Sequence, residues 1–198
     1  MIEQHTSTRY GESLEKIRSQ FLRMGGLVES MINDAVEALS TGNMALVERV
    51  FEYEVEVNSL EVDTDSLITE VIARQQPAAI DLRLLLSVTK MLTDLERCGD
   101  ESEKMARTIR RLYDQHNRFE PIVDLSYMGS LVSQNIHDVL DAFARLDPIA
   151  SAEVVRADKK VNKEWRSVLR ETSSFMIEDP RNITEAIDLM FMARWLER

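Results

Sequence analysis

The chain has 198 residues, with 24 basic against 35 acidic side chains, a formal net charge of −11, six glycines, four prolines and one cysteine. That length holds one or two domains with a sizeable core, and a hydrophobic fraction of 44% excludes disorder and collagen-like repeats. The acidic balance excludes a general nucleic-acid binder and a strong direct hold on anionic lipid, since both rest on Lys and Arg, but leaves docking on a membrane protein open.

Apolar residues recur at three- and four-residue steps from about Ser7 to Leu39, with Leu27, Met31, Ile32, Ala35 and Leu39 on one face, which predicts a first amphipathic helix. Thr41-Gly42-Asn43 breaks it, and Asn43 is placed to cap a second helix running to about Arg74 along Val50, Val57, Leu60, Leu67 and Val71. Pro77 reads as the first-turn proline of a third helix, where its missing N–H costs nothing. A fourth is expected from about Pro121 to Leu146; Asp147-Pro148 opens a fifth and Asp179-Pro180 a sixth, each as a cap followed by a first-position proline. No alternating, β-branched run bounded by turns is present, so the expected class is all-α.

An internal repeat organises these helices. Met24-Gly25-Gly26-Leu27-Val28 returns 104 positions later as Met128-Gly129-Ser130-Leu131-Val132, and Ile32, Asp34, Ala38 and Val57-Asn58 return at the same offset as Ile136, Asp138, Ala142 and Val161-Asn162. Leu95-Glu96-Arg97 returns as Leu196-Glu197-Arg198, shifted by 101. Three helices per half with short loops favour antiparallel neighbours, so we expect two tandem three-helix bundles, residues 1–116 and 117–198. The first half continues past Glu96-Arg97 to Tyr113 whereas the second stops at Arg198, so the last helix is expected to lack its end. Gly25-Gly26 and Gly129, inside helices, cost about 1 kcal/mol each relative to Ala and are expected to permit close helix approach.

The residues most able to carry chemistry are acidic. Positions four and seven apart share a helix face, so Glu54, Asn58, Glu61 and Asp65 fall within an arc of about 60° beside Leu60 and Leu67, and Glu96 and Asp100 flank Leu95 on the third helix. Two carboxylates one turn apart at a core edge can hold a hard cation through oxygen. Folding the hairpin about Gln76 brings Glu96 level with a point between Glu54 and Asn58 and leaves Asp65 about 14 Å away. In the second half Glu197 comes level with Asn162, near Asp158. The competing reading is an ordinary solvated acidic face. A ferritin-like di-iron centre needs Glu-x-x-His, and none of His5, His116 or His137 has a Glu three residues before it.

Cys98 cannot form an internal disulfide, which points to a reducing cytosol, and its acidic neighbours make it a buried small residue rather than a nucleophile. Residues 1–10 lack the apolar stretch of a signal peptide, and the greasiest region, 82–95, is interrupted by Arg83, Lys90 and Asp94, so no membrane insertion is expected. No phosphate-cradling Gly-rich loop, Cys-x-x-Cys pair or Gly-x-Ser-x-Gly elbow occurs.

The segments Met24-Gly25-Gly26-Leu27-Val28-Glu29, Arg74-Gln75-Gln76-Pro77-Ala78-Ala79-Ile80-Asp81-Leu82-Arg83 and Asp94-Leu95-Glu96-Arg97-Cys98-Gly99-Asp100 resemble the PhoU family, as do Asp138–Arg145, Asp158–Asn162 and Phe175–Arg181. The resemblance implies a non-enzymatic cytoplasmic regulator of phosphate uptake, held at the inner face of the membrane only through its partners. Those partners are the ATPase subunit of the phosphate ABC transporter and the sensor histidine kinase of the phosphate regulon, which it keeps in the signal-off mode, commonly as a homodimer. It also implies a divalent or iron cation (Fe, Mn, Mg or Zn) at Glu/Asp-x-x-x-Asp motifs, matched here by Glu61/Asp65 and Glu96/Asp100. The second half does not repeat the complete motif: only Glu197 is present, and Trp165 and Leu169 stand where Glu61 and Asp65 would recur. Two other readings remain at this stage, a carboxylate-bridged metal enzyme and a purely structural helical dimer.

Overall fold

The computed structural model describes residues 2–115 and 120–198. His116 and the expected boundary at 116/117 lie outside them, as does the side chain of His5. Among the described residues the chain is all-α: α1 (Ile2–Thr41), α2 (Met44–Gln75), α3 (Ala79–Gln115), α4 (Ser126–Arg145), α5 (Pro148–Glu178), a 3-10 turn (Pro180–Asn182) and α6 (Ile183–Glu197). None of these helices is long and apolar enough to cross a membrane.

Capping chemistry sets most boundaries. Asn43 Oδ1 accepts from Ala45 N at 3.1 Å to start α2, and Asp147 Oδ1 accepts from Ile149 N and Ala150 N at 2.9 and 3.0 Å to start α5 ahead of Pro148. Other expected starts move. Gln76 adopts the left-handed conformation (φ 46°) that ends α2, so Pro77 stands outside α3, which begins at Ala79. Pro121 precedes α4 by five residues, because residues 120–125 seat Val123 and Leu125 in the core before Asp124 Oδ1 accepts from Ser126 N at 2.8 Å. Asp179 caps the 3-10 turn through Arg181 N, and α6 follows at Ile183.

The α1–α3 helices pack as one bundle and α4–α6 as a second. Both contribute to a contiguous buried cluster, with Met31, Leu92 and Ile109 from the first and Val161, Leu189 and Met192 from the second. The bundles meet along two antiparallel seams. On the first, between α1 and α4, Gly25 faces Leu140 and Gly129 faces Val36. A shift of 104 converts each of these contacts into the other, so the two halves are related by an approximate two-fold axis through this seam. Phe21 and Phe143 meet edge to face across it at 4.6 Å, Arg18 donates to the Ala144 carbonyl, and His137 Nδ1 lies 3.5 Å from Glu29 Oε2. The second seam joins α3 to α6 through Arg111–Asp188 at 2.6 Å and Arg198–Glu101 at 3.1 Å.

Of the helix glycines expected to admit a neighbour, Gly25 and Gly129 do so; Gly26 faces open space. Two neighbouring substitutions therefore act with opposite signs. A methyl at Gly129 would stand 2.6 Å from Cγ2 of Val36, whose β-branched side chain cannot swing away, so Gly129→Ala destabilises by about 1–3 kcal/mol. Gly26→Ala meets nothing and stabilises by up to about 1 kcal/mol through helix propensity. Urea denaturation of the two variants checks both signs.

Candidate functional site

Residues Val50, Val57 and Leu60 of α2 and Leu92 and Leu95 of α3 are buried between the helices, and this packing turns Glu54 inward to 5% exposure. Asn58, one turn on, donates from Nδ2 to Glu54 Oε1 at 3.0 Å. The second oxygen, Oε2, is buried without a hydrogen-bond partner. Gly99 of α3 stands opposite: a Cβ there would lie 2.8 Å from Oε2 and 3.3 Å from Val57 Cγ1. The glycine is what lets α3 approach a buried carboxyl this closely.

Burial, then the neighbouring Asp100 carboxylate, push the Glu54 carboxyl up to about 7, against the opposing pull of the Asn58 amide. The Glu96 carboxyl is raised as well, by burial, then by Asp100 and by Glu61 across the helix pair. Glu54 and Glu96 thus share Asp100 as an acidic neighbour, and Glu61 joins the cluster through Glu96. The expected pairing changes in detail: Glu54 meets Gly99 and Asp100, while Glu96 meets Asp100 and Glu61, because the hairpin turns through three non-helical residues, 76–78, rather than about Gln76 alone. Asp65 is exposed and acts on neither raised carboxyl.

A cation fits this cluster in one respect, since Glu54 Oε2 is a buried oxygen with no donor. As placed, however, no three His, Cys, Asp or Glu side chains among the described residues form a group able to hold a metal ion. The second half repeats only the polar pair, Asn162 Nδ2 donating to Asp158 Oδ2 at 2.8 Å, and there Asp158 is exposed. Glu197 pairs with Arg194 and, with Asp158, lines a cavity of about 260 Å³ between the bundles.

Sequence reasoning passed over Glu101, which lines the same cavity at 4% exposure and pairs with Arg198 at 3.1 Å and Lys104 at 3.4 Å. The signal was available: Glu101 shares a helical stripe with Met105, Ile109 and Leu112, all buried. Cys98 is half-buried and its thiol is pushed to about 11, chiefly by burial and then by Asp94, which keeps it protonated and unreactive at neutral pH.

The raised Glu54 carboxyl links folding to pH. Between 4.5 and about 7 the folded chain keeps a proton that the unfolded chain has lost, so this contribution to stability is complete below 4.5 and is lost as pH rises through 7. Glu54→Gln cannot ionise and keeps an acceptor for Asn58. The variant should therefore gain stability relative to the parent chain between pH 5 and pH 8, on the order of 1–2 kcal/mol in urea unfolding.

A family model described as the PhoU domain matches residues 21–109 and 125–198. A Pseudomonas aeruginosa protein named phosphate-specific transport system accessory protein PhoU homolog is 40% identical over 194 residues, 98% of this chain and 80% of that protein. The Escherichia coli K12 protein named phosphate-specific transport system accessory protein PhoU is 38% identical over 197 residues, 100% of this chain and 81% of that one. The crystal structure of PhoU from P. aeruginosa superimposes with a TM-score of 0.89 at 39% identity, covering 95% of this chain and 90% of that chain. That of the phosphate transport system regulatory protein PhoU from Streptococcus pneumoniae shares the fold at a TM-score of 0.78 and 21% identity, covering 95% of this chain and 91% of that one. With both halves of its repeat matched and relatives similar along its whole length, the chain belongs to the PhoU family.

Proposed function

We propose that this chain is an accessory regulator of phosphate uptake, an adaptor at the cytoplasmic side of the membrane between the ATPase subunit of a phosphate ABC transporter and the sensor histidine kinase of the phosphate regulon. The observation that carries this reading is similarity over nearly the full chain, at about 40% identity, to proteins named as accessory to phosphate-specific transport. An adaptor of this kind acts by differential affinity: it binds the phosphate-replete arrangement of its partners more tightly and so holds the kinase in its signal-off mode. Working as a homodimer is part of the same reading.

The acidic cluster takes a divalent or iron cation in this proposal. Glu54, Glu61, Glu96 and Asp100 would have to turn from their present positions, which do not gather three of them around one point, to supply oxygen ligands, and a cation there would replace the proton that Glu54 otherwise keeps. The unpartnered Glu54 Oε2 supports this, and the chemistry supplied is charge neutralisation that ties α2 to α3.

Metal analysis of the parent chain and of Glu96→Ala/Asp100→Ala, equilibrated with Mg, Mn, Fe and Zn and desalted, tests the cation. We expect stoichiometric metal in the parent and its loss in the variant; near-zero metal in both removes the cation from the function. For the regulatory role, a phosphate-regulon reporter in a strain lacking its own family member should return to low output in high phosphate when this chain is supplied. Unchanged high output, with the protein present and folded, would contradict the assignment.

A further inference from the structure

We infer that the outward face of α6 is the surface through which two copies of this chain pair, about a two-fold axis at Ile187; this rests on the homodimer in the reading above and gives it an interface. The polarity of α6 is inverted. Its three carboxylates are drawn in: Asp188 is 9% exposed and pairs with Arg111 at 2.6 Å, Glu185 Oε1 accepts from Ile122 N at 3.2 Å, and Glu197 is half-buried against Arg194. The residues it turns outward are Ile183, Thr184, Ile187, Phe191 and Arg194, with Ile183, Ile187 and Phe191 at 42, 41 and 54% exposure. A helix with its acids inside and its large apolar residues outside is one whose outer face is covered in the assembly.

Charge selects what covers it. The chain carries a net charge of −11, so two copies repel wherever carboxylates face each other. The α2 helix exposes Glu48, Glu52, Asp63, Asp65 and Glu70, whereas α6 exposes no carboxylate at all. Two copies can therefore meet on α6 without bringing like charges together. The face also offers no cluster of charge that would recognise a basic or an acidic partner, since its exposed cation, Arg194, is already held by Glu197.

Spacing gives the symmetry. Ile183 and Phe191 stand four residues to either side of Ile187, on a line about 12 Å long. An antiparallel second copy whose Ile187 meets this one on the axis sets each Ile183 against the other Phe191, so the strip is complementary to itself. Rows of residues four apart are also the ridges that interdigitate when two helices cross at about −50° with axes about 8–10 Å apart. Phe191 stacks on the half-buried Trp195 with ring centroids 6.1 Å apart, which fixes the largest side chain of the strip before a second copy arrives. One such strip per chain closes as a pair and leaves nothing to propagate from. A contact about three turns long is small, so the pairing is expected to be reversible and concentration-dependent.

Sedimentation velocity of the purified chain across a wide concentration range, with thermal melting to confirm that each variant is folded, reads the pairing. We expect the parent to pass from monomer to dimer, and Ile187→Glu, which sets two carboxylates face to face, to weaken dimerisation at least about tenfold. Ile187→Arg alone should fail in the same way, and an equimolar mixture of the two variants should pair again, since a residue on the axis meets its own counterpart. Val55→Glu, at a position 72% exposed on α2, should dimerise like the parent. In a Cys98→Ser background, Ile187→Cys should oxidise to a covalent dimer, because Cα atoms facing across the axis at that helix spacing lie about 4–5 Å apart, while Val55→Cys should not. Parent-like dimerisation by Ile187→Glu, no recovery in the mixture, or no cross-link overturns this interface and leaves the homodimer standing. A parent that stays monomeric at every concentration overturns the homodimer and this interface together, without touching the regulatory reading, which the reporter tests. Weaker binding of Ile187→Glu to a purified transporter ATPase, with self-association unchanged, would give the face to that partner and also overturn the inference.

Discussion

Close backbone approach between α1 and α4 is the constraint on which the rest of the molecule depends. Gly25 leaves space for Leu140 and Gly129 leaves space for Val36, and because the 104-residue shift exchanges these two contacts, one geometric solution is used twice. A glycine inside a helix costs stability through backbone entropy, and packing density recovered at the contact offsets it. Once this antiparallel crossing is made, α3 and α6 are brought side by side. Their facing polar groups are then paired, Arg111 with Asp188 and Arg198 with Glu101, in a setting where unpaired charges would be costly.

The acidic cluster shows how the same sequence element behaves differently in two settings. Glu54-x-x-x-Asn58 and Asp158-x-x-x-Asn162 are repeats of one another, and in both the asparagine amide donates to the carboxylate one turn before it. In the first half Gly99 admits α3 so closely that Glu54 loses solvent, and the nearby Asp100 charge then favours its protonated form. In the second half the acid stays exposed. Burial, more than the identity of the residues, makes one of the two pairs responsive to protons near neutral pH.

The adaptor role proposed above would need surfaces whose fit changes with the state of the partners, and a body rigid enough that engaging one surface is felt at another. The contiguous core running through both bundles and the two polar pairs on the second seam supply that rigidity.

Local physics made most of the fold legible in the sequence. Apolar periodicity located the helices, Asn43 and Asp147 announced their starts through side-chain capping, and the repeat showed that one three-helix unit had been used twice. The starts of α3 and α4 moved because what decided them was non-local: the left-handed turn at Gln76 in one case and the seating of Val123 and Leu125 in the common core in the other. The spacing of Glu54, Asn58, Glu61, Glu96 and Asp100 likewise marked an acidic face. Which of these oxygens would be buried, and which carboxyl would meet which, was decided only when α3 packed against α2. Helical spacing fixes the angle of a side chain about its own axis, while desolvation and charge coupling depend on the neighbour that arrives from elsewhere in the chain. For the same reason Glu101, one residue from a predicted site residue and on a visible apolar stripe, became a buried partner of Arg198 only through the crossing of α3 and α6.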